Sequence, residues 1–191
     1  MTHHSLYMVL LGCTPKGRHI EQHDIFFSVA EDLKALVPEI ITFWPEAEGK
    51  IHIDAWRKIT HVDSYAITVT EKAASDSNSG GDINNPKLFF LNLGGYKPGE
   101  FEEYHYKMLA VGTNKGLAVQ QAKQTAFYKH TGFKGAESHI DDKYGVDVDD
   151  VYAIEDILPQ HIKDKYTLRI NKDDNGEEDT LNLGYFILSK L

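Results

Sequence analysis

The chain of 191 residues has little cysteine, few basic side chains and no long apolar run. Its one cysteine, Cys13, can form no internal disulfide, so nothing in the sequence demands an oxidising compartment. Acidic side chains outnumber basic ones by 29 to 20, which gives a net charge of −9. Because this charge repels phosphate backbones and anionic lipids, we expect neither nucleic acid nor a membrane as a partner. The expected location is the cytoplasm.

The composition is that of a globular protein, with 41% hydrophobic, 26% charged and 11% aromatic residues. One N-terminal feature points elsewhere, because Leu10-Leu11-Gly12-Cys13 resembles the box at which bacterial lipoprotein signals are cut. No Lys or Arg precedes the apolar run, and the run is too short for a signal peptide. We therefore expect a soluble protein without a lipid anchor.

Two blocks of the sequence recur later in the chain. Shifted by 82 residues, Leu6–Val29 aligns without a gap on Leu88–Val111 and shares 7 of 24 residues with it, whereas chance gives about one or two. Shifted by 87 residues, His52–Ile67 aligns on His139–Ile154 and shares 7 of 16 residues. The apolar run before Cys13 thus has a counterpart in mid-chain, where no signal peptide can lie. Both runs are predicted core strands.

The duplication predicts the organisation of the chain. We expect a first repeat at residues 1–71, a linker at 72–87 and a second repeat at 88–158. Small polar residues dominate the linker and cannot bury enough apolar surface to order it, so it is predicted to be flexible. Residues 159–191 are expected to form a short helix and a C-terminal β-hairpin around an acidic turn.

Apolar periodicity predicts the elements within each repeat. In the first repeat the expected order is two strands, a helix and two strands: Tyr7–Leu11, Ile20–Val29, Asp32–Trp44, Ile51–Ile59 and Tyr65–Thr70. Pro38 is expected to kink or interrupt that helix, and its counterpart in the second repeat is expected as a capped helix that begins at Thr113-Asn114 and reaches Lys129. The last two strands of the second repeat are expected at Ser138–Val146 and Val151–Glu155. The predicted class is α+β, with two tandem ββαββ repeats built on antiparallel sheets, one main helix in each, and a C-terminal β-hairpin.

Several short runs resemble one known family. They are Leu-Gly-Cys-Thr-Pro-Lys-Gly-Arg at 11–18, Glu-Gln-His-Asp-Ile-Phe-Phe at 21–27, Phe-Trp-Pro-Glu at 43–46 and His-Ile-Asp-Ala-Trp at 52–56. The chain is similar in these runs to DUF1543, a bacterial family defined only as a domain of unknown function. The resemblance covers both repeats, at about residues 6–157, and leaves the C-terminal hairpin aside. It implies a domain and supplies no catalytic residues.

The stretch from Gly12 to Gly17 has the glycine spacing of a phosphate-binding loop. The lysine and hydroxyl that should follow are replaced by Arg18 and His19, and a strand is predicted where such a loop needs a helix. We therefore predict a hairpin turn at this position. Cys13, whose counterpart is Gly95, is predicted to be a small buried residue rather than a nucleophile.

Two polar pairs recur at aligned positions of both repeats: a glutamate two residues before a histidine, and a histidine two residues before an aspartate. They are the candidate ligand-binding residues, namely Glu21, His23, His52 and Asp54 in the first repeat and Glu103, His105, His139 and Asp141 in the second. Each pair can transfer protons, form half of a metal site, or make a structural hydrogen bond. Convergence of both pairs would suit zinc, manganese or iron. The sequence neither places the pairs together nor contains an established metal motif.

Two hypotheses of function follow. The preferred one is a noncatalytic module in which two similar lobes frame a groove for a small ligand or a partner protein. The alternative is a hydrolase or isomerase that uses the paired His and carboxylate residues, with or without a metal. The sequence leaves the ligand and any cofactor unknown, and it allows a homo-oligomer.

Overall fold

The computed structural model of the protein describes residues 3–72, 85–125, 132–133, 136–137, 139–140 and 151–191. Three sequence-based expectations fall wholly or partly outside these residues. They are the predicted linker, the end of the helix that follows Asn114, and the strand beyond Ile140, which includes Asp141.

The described elements are mostly strands joined by short helices. In chain order the strands are β1 (Ser5–Cys13), β2 (Gln22–Ala30), β3 (His52–Ile59), β4 (His61–Val62), β5 (Tyr65–Glu71), β6 (Lys87–Tyr96), β7 (Glu103–Gly112), β8 (Gly132–Phe133), β9 (Ala136–Glu137), β10 (His139–Ile140), β11 (Val151–Ala153), β12 (Tyr166–Lys172) and β13 (Asn182–Ile187). The α-helices are α1 (Val37–Phe43), α2 (Lys115–Ala122), α3 (Ile154–Ile157) and α4 (Gln160–Lys165). Short 3-10 helices lie at Lys34–Leu36, Pro45–Ala47 and Leu188–Lys190. The strand pairs are antiparallel, so the predicted α+β class is confirmed.

The chain divides into two compact units. The first unit consists of Met1–Ser77 together with Leu158–Leu191, and the second consists of Asn78–Ile157. The C-terminal segment therefore packs with the beginning of the chain. None of the helices in the described ranges is long and apolar enough to span a bilayer.

The main sheet of the first unit has the strand order β13-β3-β1-β2. Strand β1 lies inside this sheet, and its residues Tyr7, Val9 and Leu11 are fully buried. They form one core with Leu36 and Ile40, which lie at and next to α1. Each fully buried aliphatic side chain of this kind contributes about 1.5–3 kcal/mol to stability.

The two faces of this sheet have different environments. Leu11, Cys13 and Ile53 pack in the core on the α1 side. Because successive side chains of a strand point to opposite faces, Gly12 and His52 face away from α1. This face of the sheet carries the polar residues considered below.

The second unit is built around β6, which pairs with β7, β10 and β11. Helix α2 contributes Ala118 and Ala122 to a core with Leu91 and Leu93. The side chain of Asn114 accepts a hydrogen bond of 3.0 Å from the backbone N–H of Leu117 and so caps α2. The predicted cap is confirmed.

The predicted C-terminal hairpin is wrong, although both of its strands exist. β12 pairs with β5, and β13 pairs with β3 in a different sheet. The acidic segment between them does not fold back on itself, because its polar groups bond elsewhere. The backbone N–H of Asp173 donates to the carbonyl of Ser64 at 2.8 Å, and Asp179 Oδ1 accepts bonds from the backbone N–H groups of Thr60 and His61. These bonds hold the segment that connects β12 in one sheet with β13 in the other.

Two further expectations concern local structure. Pro38 lies in the first turn of α1, directly after the 3-10 turn at Lys34–Leu36, so the expected interruption of the helix is confirmed. The second expectation is wrong. The strand expected at Val151–Glu155 ends at Ala153, and α3 begins at Ile154, which is fully buried. A strand and a helix can both bury Ile154, so its apolar character alone did not distinguish between the two.

Candidate functional site

Gly12 lies between two histidines of the main sheet. It pairs with His23 on β2 and with His52 on β3. Since Gly12 has no side chain, the two imidazoles can approach each other above it. A Cβ atom built on Gly12 would lie 2.5 Å from His52 Nε2 and 2.5 Å from Asp54 Oδ2. The space that the neighbouring side chains use is therefore available only next to glycine.

The two polar pairs of the first repeat converge above Gly12. His52 Nε2 lies 3.0 Å from Glu21 Oε1 and 3.2 Å from Asp54 Oδ1. His23 Nε2 lies 3.3 Å from Asp54 Oδ2 and 3.5 Å from Glu21 Oε2. Each imidazole thus contacts both carboxylates. We refer to Glu21, His23, His52 and Asp54 as the four-residue cluster.

Asp54 reaches the cluster from an irregular point of β3. Along β1, Leu10 pairs with Ala55 and Leu11 pairs with Ile53, so Asp54 is the extra residue of a β-bulge. The pairing of β3 with β13 also shifts at this point. Bulges redirect side chains and are frequent next to functional sites. The bulge explains how Asp54 contacts His52 and His23 together.

Tyr185 on β13 is a neighbour of the cluster that the sequence did not indicate. Its ring stacks on that of His52, with centroids 4.2 Å apart and an interplanar angle of 28°. Tyr185 lies where the β3–β13 pairing is irregular, one residue after Gly184, whose φ is +145°. The expected hairpin would have paired this strand with β12, so no sequence pattern placed Tyr185 near His52.

Two atoms of the cluster are buried and make no hydrogen bond. They are His52 Nε2 and Asp54 Oδ2. The contacts of 3.0 and 3.2 Å around His52 Nε2 are close, but they lack the alignment of hydrogen bonds. His52 as a whole is 6% exposed. Buried polar atoms are normally paired, so these two atoms mark a place where a further group is needed.

The second unit repeats the strand register of the first. Gly94 on β6 pairs with His105 on β7 and with His139 on β10. The candidate carboxylate Glu103 accepts a hydrogen bond of 2.7 Å from the hydroxyl of Tyr96. Asp141 lies outside the described residues, and His139 is described only in its backbone. The described residues therefore do not test whether the second set of candidates converges.

Two other features singled out in the sequence, the Gly12–Gly17 stretch and Cys13, have simple structural roles. The connection between β1 and β2 is a turn between paired antiparallel strands, with Gly17 at a φ of +81°, so the predicted hairpin turn is confirmed. Cys13 is buried as predicted, at 1% exposure. Burial raises the pKa of its thiol, and the negative charge of Glu21 raises this pKa further. Cys13 is therefore not an activated nucleophile.

A cleft of about 310 Å³ in the first unit was not expected from the sequence. Glu39 at its wall accepts a hydrogen bond of 2.7 Å from the hydroxyl of Ser28, and it lies 3.1 Å from His161 Nε2. The order serine, glutamate, histidine differs from that of a hydrolase triad, in which the histidine contacts the serine. Ser28 is also fully buried. This arrangement fastens α1 to β2 and gives no catalytic serine.

Comparisons with known proteins agree with these observations. Residues 18–69 match the family model of DUF1543, described as Domain of Unknown Function, so the expected similarity is confirmed for this range. The matched range contains the whole four-residue cluster. No curated protein matches the sequence.

A solved structure has a similar fold. It is the crystal structure of a protein Il1583 from Idiomarina loihiensis, with a TM-score of 0.54 and 23% sequence identity over 97% of each chain. At this identity the likeness concerns the fold alone. The comparisons therefore support an α+β domain of unknown function, and the chemistry has to be argued from the cluster itself.

Proposed function

We propose that the first unit is a noncatalytic binding module that takes up a small, positively charged ligand at the four-residue cluster. The observation that carries this proposal is the pair of buried, unbonded atoms, His52 Nε2 and Asp54 Oδ2, at the point where the four side chains meet. A ligand that bonded to both atoms would remove the cost of burying them unpaired, which is about 1–3 kcal/mol for each group.

The charge of the cluster favours a cation. Glu21 and Asp54 bring two carboxylates to one place, and the imidazoles of His23 and His52 add further lone pairs. A hydrogen bond from His52 Nε2 to one of the carboxylates would be the simplest internal pairing for that atom. His52 Nε2 makes none. A cation bound between the side chains would pair both unbonded atoms at once.

The absence of an activated nucleophile favours binding over catalysis. Among the residues that the structure describes next to the cluster, Cys13 is buried and its pKa is raised. Ser28, farther along β2 and on the α1 side of the sheet, is buried and bonded to Glu39. Neither side chain can attack a substrate in this state.

The alternative function is that of a hydrolase or isomerase that transfers protons through the cluster. One observation favours it: the side chain of His23 is 41% exposed and lies 3.3 Å from Asp54. An accessible imidazole next to a carboxylate can act as a general base. In this alternative a turnover exists that His23→Ala eliminates.

Binding is tested by thermal unfolding of tag-free protein with a panel of divalent metal chlorides, guanidinium and small diamines. We expect at least one class of cation to raise the Tm of the wild type. The same rise should disappear in His52→Gln and Asp54→Asn. His19→Gln, which changes an exposed histidine of the β1–β2 connection, is the matched control and should respond as the wild type does. Equal responses in all variants would refute the proposal.

We also infer that the two units are copies of one domain. The support is the common register, with Gly12 between His23 and His52 and Gly94 between His105 and His139. The position of Asp141 tests this inference. A crystal structure with its carboxylate within about 4 Å of His139 and His105 agrees with duplication of the site, and an Asp141 turned away from both contradicts it.

For the location we propose the cytoplasm. The buried single cysteine and the net charge of −9 support this proposal. Cell fractionation tests it, and recovery of the protein with the membrane or periplasmic fraction would contradict it.

A further inference from the structure

We propose that the ligand of the four-residue cluster is a divalent transition-metal ion, bound by Glu21, His23, His52 and Asp54 together. This inference rests on the proposed binding function of the same cluster and names the class of its ligand. The expected ions are zinc, manganese and ferrous iron, which accept mixed imidazole and carboxylate ligands.

The donor atoms lie near the spacing that a bound cation requires. Zinc binds imidazole nitrogen and carboxylate oxygen at about 2.0–2.2 Å, so two ligands of a tetrahedral site lie roughly 3.3–3.6 Å apart. The four contacts between nitrogen and oxygen atoms in the cluster measure 3.0, 3.2, 3.3 and 3.5 Å. Two of these contacts lie within that range and two are shorter, so the donor atoms are close together but have to spread apart to surround an ion.

The buried half of the cluster supplies the fixed ligands. The side chains of His52 and Asp54 on β3 are 8% and 25% exposed, and each has an unbonded buried atom. Tyr185 stacks on the ring of His52, which limits rotation of this imidazole and keeps Nε2 directed at the cluster. Gly12 leaves open the space beside both atoms.

The more exposed half supplies the adjustable ligands. The side chains of His23 and Glu21 are 41% and 42% exposed; His23 lies at the start of β2, and Glu21 directly precedes this strand. In the described part of the chain, no three His, Cys, Asp or Glu side chains are already positioned to hold a metal ion. Binding therefore requires these two side chains to turn toward the fixed pair. Such rotations are inexpensive for side chains that are partly in solvent, and the same exposure gives the ion its way in.

The donor set separates this ion from others. Calcium and magnesium prefer oxygen ligands alone, whereas half of the donors here are imidazoles. Copper(I) prefers sulfur, but Cys13 faces the α1 side of the sheet and its thiol has a raised pKa. Two carboxylates balance the charge of a divalent ion. These mixed nitrogen and oxygen donors suit a metal ion between hard and soft, and zinc is the best probe of such a site.

The inference is tested by titrating zinc chloride into tag-free, chelator-treated protein against a chromophoric chelator, with circular dichroism as a check on folding. We expect His52→Gln to remove one equivalent of bound zinc. His23→Gln, at the exposed rim, should weaken that equivalent at least about 100-fold, since losing even an outer partner of a zinc ligand costs 10–100-fold. His19→Gln should bind as the wild type does. Because His23 is partly exposed, its variant keeps the test valid if His52→Gln does not fold.

The possible outcomes distinguish a failure of the metal inference from a failure of the proposed binding function. If no variant changes zinc binding, but guanidinium or a diamine raises the Tm in a manner that requires His52, the metal inference is wrong and the binding function stands. If neither zinc nor an organic cation shows any dependence on His52 or His23, both are wrong. Loss of one zinc equivalent in His52→Gln with an unchanged fold supports both.

Discussion

Glu21 and His52 are in contact across strand β1, with Glu21 Oε1 3.0 Å from His52 Nε2. His52 lies on β3 and Glu21 directly precedes β2, and these two strands pair with β1 and not with each other. Side chains from strands on either side of a third strand normally have the side chain of that strand between them. The residue of β1 that pairs with His52 is Gly12, and because glycine has no Cβ, the ring of His52 can lie over β1 within reach of Glu21.

The first prediction concerns Gly12. Gly12→Ala places a Cβ about 2.5 Å from His52 Nε2 and Asp54 Oδ2, so the cluster must open. We expect a loss of about 1–3 kcal/mol in the free energy of unfolding, as for other overpacked sites, together with loss of cation binding. Urea denaturation measures the first effect, and the Tm shift with cation measures the second.

Gly112→Ala is the matched control for this change. A Cβ at Gly112, also at the end of a strand, meets Leu117 Cβ at 3.4 Å, which is ordinary contact. We expect a change in the free energy of unfolding that is well below that of Gly12→Ala. Equal losses for the two variants would show that Gly12 has no special relation to the cluster.

The second prediction concerns the ring stack between Tyr185 and His52. Tyr185→Leu removes the stack and should lower cation affinity by roughly 2–10-fold, which corresponds to the 0.5–1.5 kcal/mol typical of aromatic pairs. Tyr185→Phe keeps the ring and should bind as the wild type does. A calorimetric titration measures both. If the phenylalanine variant were as weak as the leucine variant, the hydroxyl and not the ring would be responsible.

The third prediction concerns the reactivity of Cys13. Its pKa is raised, first by burial and then by Glu21, so the thiol stays protonated at neutral pH and gains a thiolate only at more alkaline pH. Native protein should therefore react slowly with iodoacetamide at pH 7, and unfolded protein should react fast. Glu21→Gln removes the smaller of the two causes. The apparent pKa at which Cys13 becomes reactive should therefore fall, but burial should still keep it raised. Fast labelling of the native wild type at pH 7 would contradict this account.

The fourth prediction concerns Asp179, which anchors the segment before β13. Its Oδ1 accepts bonds from the backbone N–H and hydroxyl of Thr60 and from the backbone N–H of His61, at 2.9, 2.7 and 3.1 Å. Asp179→Ala removes three bonds whose donors are mostly exposed and can bond to water instead, so it should destabilise the first unit by about 1–2 kcal/mol. Urea denaturation measures the loss. Asp174→Ala, at an exposed position of the same segment, is the control and should change the free energy of unfolding by less than about 1 kcal/mol. Similar losses would argue against a specific anchor at Asp179.

The sequence predicted the local parts of this site well. Alternation along β2 and β3 put Glu21 with His23 and His52 with Asp54 on common faces, and the aligned blocks marked the same pairs in the second repeat. These properties depend on neighbours within one strand. They can therefore be deduced from spacing alone.

The sequence could not predict how the strands meet. Convergence of the pairs depends on the register of β2 and β3 against Gly12, and on the bulge at Asp54, neither of which a periodic pattern encodes. The same limit explains the error at the C-terminus. The acidic segment was correctly taken as a break between strands, but its bonds to Thr60 and Ser64 send β13 to β3, and with it Tyr185 to His52.

The most direct test of a cation site in the cluster is an anomalous difference map from crystals of tag-free protein grown with zinc chloride. The account predicts a peak about 2.0–2.2 Å from His52 Nε2 and from a carboxylate oxygen of Asp54, with His23 and Glu21 turned in as further ligands. A map without a peak at this position, in which His52 Nε2 donates a hydrogen bond directly to Glu21 or Asp54, would contradict it.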